Sequence, residues 1–334
     1  MPAVSIIIPC YNEESTIGSL LEAVYAQSYP RSEMEVIIAD GLSEDNTRAR
    51  IAAFQQSHPA LDVRIVDNSA RTIPAALNTA IEAARGRYIV RLDAHCVPYP
   101  DYVERSIQAL EQGRGDNVGG VWEIRPGGKG WIAAAIAVAA AHPLGVGDAL
   151  YRHATQAAEV DTVPFGAYRK TLIDKIGKYD ESLLTNEDYE FNTRIRQAGG
   201  RLWLDPEIRS VYFARSTLRA LARQYWRYGF WKWRMLRRYP KTLRWRQALP
   251  PLFVLGLLTG ILLALIFPIL WYLVAVVIAL YFSALLLAGL QTAIRHKRPS
   301  LVPGLLLAIP TMHLAWGSGF LWSMFASLGK RQHD

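Results

Sequence analysis

The chain has 334 residues, 51% of them hydrophobic and 20% charged, and its net charge is +8. That balance excludes a disordered or collagen-like chain and leaves room for one large domain or two modest ones. The charge is divided along the chain: residues 1–207 hold 20 Lys+Arg against 28 Asp+Glu, and residues 208–334 hold 17 Lys+Arg against Asp334 alone. An acidic first part would repel phosphate, so a basic coat for nucleic acid is excluded. Cys10 and Cys96 are too few for a disulfide framework or a zinc site and read as small buried residues. The N-terminus from Met1 to Ile8 has no secretory pattern, so the first domain is expected to stay in the cytoplasm.

Val4–Ile8 is a short apolar run ending at Pro9, as in a buried strand. Glu13–Gln27 spaces Ile17, Leu20, Leu21, Val24 and Tyr25 helically. Glu35–Ala39 predicts a second strand, Thr47–Gln56 a helix, Val63–Val66 a third strand, Pro74–Ala84 a helix and Tyr88–Leu92 a fourth strand. This alternation has the spacing of βαβ units, so a mostly parallel sheet covered by helices is expected. Ligand sites in such sheets form in the loops after the strands. Those loops are Pro9–Glu13, Asp40–Asp45, Asp67–Arg71 and Asp93–Cys96, and each carries a charged group. No Gly-x-Gly-x-x-Gly follows the first strand, which disfavours a dinucleotide-binding Rossmann domain. Residues 131–141 form an Ala-rich helix too short to cross a bilayer. Core packing explains it, with contact to lipid headgroups as the alternative.

The last third differs. Arg215–Arg246 holds 11 Lys+Arg, no acid and many aromatics, the composition of a helix lying in a headgroup layer. Leu249–Phe267 and Ile269–Ile294 hold no charge, and Leu301–Leu328 has only His313 as a titratable group. Three spanning helices are predicted, the third having a re-entrant alternative because of Pro303 and Pro310. Basic residues before the first span and at Arg295–Arg298 place both loops on the cytoplasmic side. Lys330-Arg331 would then follow the third span on the far side, or remain in the headgroup layer.

Two clusters carry chemistry. In Asp93-Ala94-His95 a carboxylate and an imidazole two residues apart could share a divalent cation with a diphosphate. A loop-capping aspartate beside a surface histidine fits equally. Glu187-Asp188 opens a predicted helix running to Ala198, where carboxylates suit the helix dipole. Alternatively one of them is a general base, since a sugar hydroxyl is a poor nucleophile until its proton is taken. Gln224-Tyr225-Trp226-Arg227-Tyr228 combines a cation with rings that could stack on a sugar.

Taken together, Pro9-Cys10-Tyr11-Asn12-Glu13, Ala39 to Thr47, Gly86 to His95 and Glu187-Asp188 resemble, in this order, family 2 glycosyltransferases of the GT-A fold. The similarity runs from residue 4 to about 230. The whole chain looks like bacterial exopolysaccharide glycosyltransferases of the succinoglycan-biosynthesis type. The resemblance implies an α/β GT-A catalytic domain over 1–214, basic interfacial helices over 215–248 and a transmembrane region over 249–328, with spans at 249–267, 269–294 and 301–328. It implies nucleotide-sugar binding at Pro9, Tyr11, Glu13, Asp40, Arg71 and Asp93, and a Mn²⁺ or Mg²⁺ site at Asp93 and His95, His95 standing where the family has a second Asp. Asp188 matches the general base. Glu187, Gln224, Arg227 and Tyr228 are implied on the acceptor or diphosphate side, Tyr228 in the place of the family's Trp. The expected reaction moves one hexose, with inversion, from a nucleotide-sugar such as UDP-glucose to a polyprenyl-diphosphate-linked saccharide. The expected location is the bacterial inner membrane, alongside other exopolysaccharide-assembly enzymes. Transfer to polyprenyl phosphate, processive β-glycan synthesis and a non-catalytic nucleotide-binding scaffold are the alternatives.

Overall fold

In the computed structural model the described residues are 1–328, so Lys330-Arg331 lies outside them. Strands β1 (Val4–Cys10), β2 (Met34–Asp40), β3 (Asp62–Asp67) and β4 (Tyr88–Arg91) alternate with helices α1 (Ile17–Tyr25), α2 (Thr47–Ser57) and α3 (Ile73–Ala83). All four strands are parallel, with Cys10 opposite Asp40 and Ile7 opposite both Ile37 and Arg91. Strand side chains alternate between faces. Ile6 and Ile8 pack with Leu20, Leu21 and Val24 of α1 and Ile51 of α2 on one face. Ile7 and Ile37 pack with Leu77, Ala80 and Ile81 of α3 on the other. Every residue of β1, β2 and β4 is buried, which is why these strands read as largely apolar runs, whereas the edge strand β3 is partly exposed.

Beyond β4 the chain adds β5 (Cys96–Pro98), α4 (Tyr102–Glu111), β6 (Asn117–Pro126), α5 (Trp131–Ala141), α6 (Pro143–Val146), β7 (Ala158–Glu159), β8 (Ala167–Arg169), α7 (Thr171–Ile176), α8 (Glu187–Gln197) and β9 (Leu202–Ala214). The sheet order is β3-β2-β1-β4-β8-β6-β9-β5, with β7 paired to β9. The parallel part therefore ends at β4. The β4–β8, β6–β8, β5–β9 and β7–β9 pairs are antiparallel, so the sheet is mixed. Helix α8 belongs to the second face, through Phe191 and Ile195.

The chain divides into two compact units. The first takes Met1–Glu123 and Leu150–Tyr212; the second takes Ile124–Ala149 and the chain from Phe213 onward. The stretch expected as one continuous domain over 1–214 is thus interrupted by residues 124–149, which group with the C-terminal helices. In the second unit α9 (Leu218–Arg238) precedes α10 (Trp245–Ile266), α11 (Leu270–His296) and α12 (Leu301–Leu328). The last three are long and apolar enough to cross a membrane. Helix α12 is continuous, and no re-entrant break interrupts it. Pro303 falls in its first turn, where the missing N–H has no helical partner to lose. Close backbone approach joins α12 to its neighbours. A Cβ on Gly319 would lie 2.1 Å from the Trp226 carbonyl of α9, and one on Gly304 would lie 2.3 Å from Ala135 Cβ of α5. The Ala-rich helix α5 is accordingly a packing element, with Ala133, Ala135, Ile136 and Ala139 buried.

Candidate active site

The loop after β1 folds against the loop after β2. Asn12 adopts the left-handed conformation (φ 53°) and accepts from the Glu44 N–H at 2.9 Å, while its own N–H donates to Ser43 Oγ at 2.9 Å. The Glu13 N–H donates to Thr47 Oγ1 at 2.8 Å. Tyr11 is exposed, and the Arg71 guanidinium lies 5.6 Å from its ring centre while pairing with Glu44 at 3.2 Å. Pro9 is buried within β1, opposite Ala39 of β2.

Asp40 is fully buried. Its oxygens accept from the Ser43 N–H (3.0 Å), Ser43 Oγ (2.5 Å) and Arg48 Nε (2.5 Å). Arg48 also reaches Asp67 at 2.5 Å. The Asp40 carboxylate thus holds the Gly41–Ser43 turn in shape, with its acceptor sites taken up by protein donors.

The end of β4 carries the next group. Arg91 lies opposite Ile7 and so shares the face on which α8 packs. Arg91 Nη2 donates to Asp93 at 3.2 Å and to Glu187 at 2.9 Å, with the Arg91 and Glu187 side chains only 3% and 8% exposed. His95 Nδ1 meets Glu13 Oε1 at 3.0 Å, and Glu13 Oε2 accepts from Thr16 Oγ1 at 2.6 Å. Contacts therefore run from Glu13 to His95, along the loop to Asp93, and through Arg91 to Glu187. Loops distant in sequence meet here.

Asn186, left-handed at φ 69°, turns the chain into α8 so that Glu187 and Asp188 fall in its first turn. Burial pushes the Glu187 carboxyl up to about 7, against the opposing Arg91 charge. Burial also raises Asp188, again opposed by Arg91, with a hydrogen bond from the Tyr189 N–H at 2.7 Å favouring its ionised form. Glu187 pairs directly with Arg91, while Asp188 is half-buried and makes no ion pair with it among the described residues; burial raises both carboxyls. Asp188 is next to Glu187 in the helix and therefore projects in a different direction.

Gln224, Arg227 and Tyr228 lie on α9, in the second unit. Gln224 Nε2 donates to Tyr228 Oη at 2.9 Å, and Tyr225 meets Tyr228 edge-to-face at 5.6 Å. Arg227 is exposed. Sequence reasoning did not single out Arg91 or Arg48. A lone cation in the otherwise apolar run Tyr88–Leu92 was the available signal for Arg91.

No cluster of three or more His, Cys, Asp or Glu side chains able to hold a metal occurs among the described residues. Asp93 and His95 offer one carboxylate and one imidazole. That donor set fits a cation that takes its remaining ligands from water and a substrate diphosphate, as Mg²⁺ does at phosphate sites, and an imidazole is acceptable to Mn²⁺.

Residues 5–177 match the family model described as Glycosyl transferase family 2. The succinoglycan biosynthesis protein ExoA of Rhizobium meliloti (strain 1021) is 31% identical over 317 residues, covering 94% of this chain and 93% of that protein. The dolichyl N-acetyl-alpha-D-glucosaminyl phosphate 3-beta-D-2,3-diacetamido-2,3-dideoxy-beta-D-glucuronosyltransferase of Methanococcus voltae is 28% identical over 318 residues, covering 93% and 92%. Among solved structures, the mannosyltransferase PcManGT from Pyrobaculum calidifontis, in complex with GDP-Man and Mn²⁺, superposes with a TM-score of 0.62 at 22% identity, covering 96% of this chain and 87% of that one. That likeness shows a shared GT-A-like fold. The chain belongs to glycosyl transferase family 2 and is a glycosyltransferase.

Proposed function

We propose that the protein transfers a single hexose, with inversion, from a nucleotide-sugar, UDP-glucose being the first choice, to a polyprenyl-diphosphate-linked saccharide during exopolysaccharide repeat-unit assembly. The observation that carries this reading is the chain of contacts Glu13–His95 and Asp93–Arg91–Glu187, with Asp188 beside it. It puts candidate donor-binding groups and a candidate base in one unit of the protein.

Tyr11, Arg71 and Glu13 bind the nucleotide, and Asp40 acts through the Gly41–Ser43 turn that it holds. Asp93 and His95 would hold the divalent cation, whose chemistry there is to neutralise charge on the diphosphate. Asp188 takes the proton of the acceptor hydroxyl as its oxygen bonds to the anomeric carbon, while the bond from that carbon to the diphosphate breaks. In-line attack turns an α-linked donor into a β-glycoside. A positioned base of this kind accelerates transfer by about 10²–10⁴-fold.

The membrane part supports a lipid-linked acceptor, since a water-soluble one needs no bilayer anchor. The basic residues of α9 would attract a diphosphate or anionic headgroups, at about 1 kcal/mol per basic residue near the surface. The positive residues before α10 and between α11 and α12 favour a cytoplasmic catalytic unit on a bacterial inner membrane. Three helices are few for a polysaccharide channel, which favours single addition over processive synthesis. The test is incubation of the membrane-embedded protein with labelled UDP-, GDP- and dTDP-hexoses and polyprenyl-diphosphate-linked saccharides, read by mass spectrometry. A mass gain of one hexose on the lipid-linked saccharide is expected. Repeated addition, or labelling of polyprenyl phosphate alone, refutes the acceptor assignment.

A further inference from the structure

Arg91 is an expensive residue to place where it is. Its side chain is 3% exposed, and Nε and Nη1 are buried with no hydrogen-bond partner among the described residues. Only Nη2 is used, and it serves Asp93 and Glu187 together. Burying a guanidinium with two nitrogens unpaired costs stability, and a buried ion pair is weak evidence of a stabilising role. A well-packed apolar side chain on this strand would avoid that cost. The backbone does not need the charge either: the Arg91 N–H donates to the Gly166 carbonyl at 3.0 Å whatever its side chain.

The geometry assigns Arg91 a positioning role: we propose that it ties the donor-side Asp93 to Glu187 of α8, occupying Glu187 so that Asp188 alone serves as the base. Three geometric facts support it. Asp93 is two residues along from Arg91 and so projects from the same side of the chain as long as the strand geometry continues. Glu187 is 96 residues away in sequence, so Arg91 is a direct tie between β4 and α8. Glu187 and Asp188 are adjacent acids in one helical turn; without a cation both would compete for one proton beside the acceptor hydroxyl.

The proposal rests on Asp188 being the base, and its test separates the two ideas. Arg91→Met, Glu187→Gln and the double variant are compared in the full-length protein, using the nucleotide-hexose found active in the donor panel. Donor KM, kcat and thermal unfolding are measured for each. Arg91→Met is expected to lower kcat by at least about 10²-fold, the low end for loss of a positioned base. Glu187→Gln keeps an amide oxygen that can accept from Arg91 and is expected to lose less than about 10-fold. The double variant is expected to recover at least about 10-fold in kcat over Arg91→Met, the coupling expected of residues in contact. Wild-type kcat in Arg91→Met, or losses that simply multiply in the double variant, would overturn the positioning role. Should Arg91→Met not fold, Arg91→Lys replaces it: its single ammonium keeps the charge but not the guanidinium plane, and a kcat loss of about 10-fold at unchanged donor KM is expected, while wild-type kcat overturns the proposal. Asp188→Asn is measured alongside. Retained transfer there sinks the base assignment, whereas an inactive Asp188→Asn with uncoupled Arg91 and Glu187 sinks the positioning role alone.

Discussion

Glu35 offers a sharp test of how the first unit is held together. Its carboxylate is completely buried. It accepts from Ser5 Oγ (2.6 Å), the Arg85 N–H (2.6 Å), Arg85 Nε (2.8 Å) and Arg64 Nη2 (2.6 Å). Glu35→Gln keeps the shape but removes the charge that two guanidiniums face, and turns an NH₂ toward donors. Arg64 and Arg85 are themselves 34% and 47% exposed, so the loss is that of hydrogen bonds to a charged group, about 1.5–3 kcal/mol, still a sizeable share of the roughly 5–15 kcal/mol that stabilises a domain. Burial alone would raise the Glu35 pKa, but the hydrogen bonds from Ser5, Arg85 and Arg64 outweigh it and hold it below the usual glutamate range. A carboxyl depressed in the folded state stabilises above its unfolded pKa and loses that contribution as pH falls through the folded value. The gap between wild type and Glu35→Gln is therefore full at neutral pH and shrinks in acid, below the ordinary glutamate pKa. Hydrogen exchange of the buried β2 amides, Val36 to Ile38, reads this unit without interference from the apolar helices. Equal protection in the two proteins at pH 7, or a gap that does not change with pH, would refute the reasoning.

Other consequences concern the site and the helices. Asp188→Asn should retain donor binding while transfer falls by at least about 10²-fold, measured as kcat. The kcat of the wild type should also fall in acid from above the ordinary aspartate range, because a base must be ionised and burial raises Asp188 in the presence of Arg91, Glu187, Asp93 and Tyr179; a flat kcat down to that range contradicts it. Chelation with EDTA should abolish transfer and Mn²⁺ should restore it best, in the same mass-spectrometric assay. Gly319→Val should destabilise the second unit by about 1–3 kcal/mol through overpacking against the Trp226 carbonyl. Gly256→Val should do so far less, since nothing lies within 4 Å of a Cβ there; thermal unfolding in detergent distinguishes them.

The first half of the fold was legible because β1, β2 and β4 are buried along their whole length and the strands are separated by helices of ordinary length. Runs such as Val4–Ile8 and Glu35–Ala39 announce such strands directly. The antiparallel extension was not legible. β7 has two residues and β5 and β8 three each, too few for any periodicity, and β5 contains Pro98, tolerated because β5 ends the sheet. The Ala-rich stretch 131–141 has a helical composition, but nothing in it names α12 as its partner. At the site, Glu13 contacts His95 and Arg91 joins Asp93 to Glu187, whereas Gln224, Arg227 and Tyr228 lie on a helix of the second unit. What the sequence did not disclose was how the motifs are joined: that Asp40 faces Ser43 and Arg48, and that Arg91 links Asp93 to Glu187. Such ties depend on which strand neighbours which helix. The predicted spans differed from the helices mainly at their ends, since α10 starts at Trp245 and α11 runs to His296, taking flanking basic residues into their terminal turns.

The central claim is that the loops carrying Glu13, Asp93, His95 and Asp188 form one nucleotide-sugar site. A structure of the full-length protein with its donor nucleotide and Mn²⁺ addresses it most directly. The account predicts the diphosphate and the cation against Asp93 and His95, with Tyr11 and Arg71 at the nucleoside and Asp188 facing the sugar. A nucleotide bound elsewhere, or a cation away from both Asp93 and His95, would contradict it.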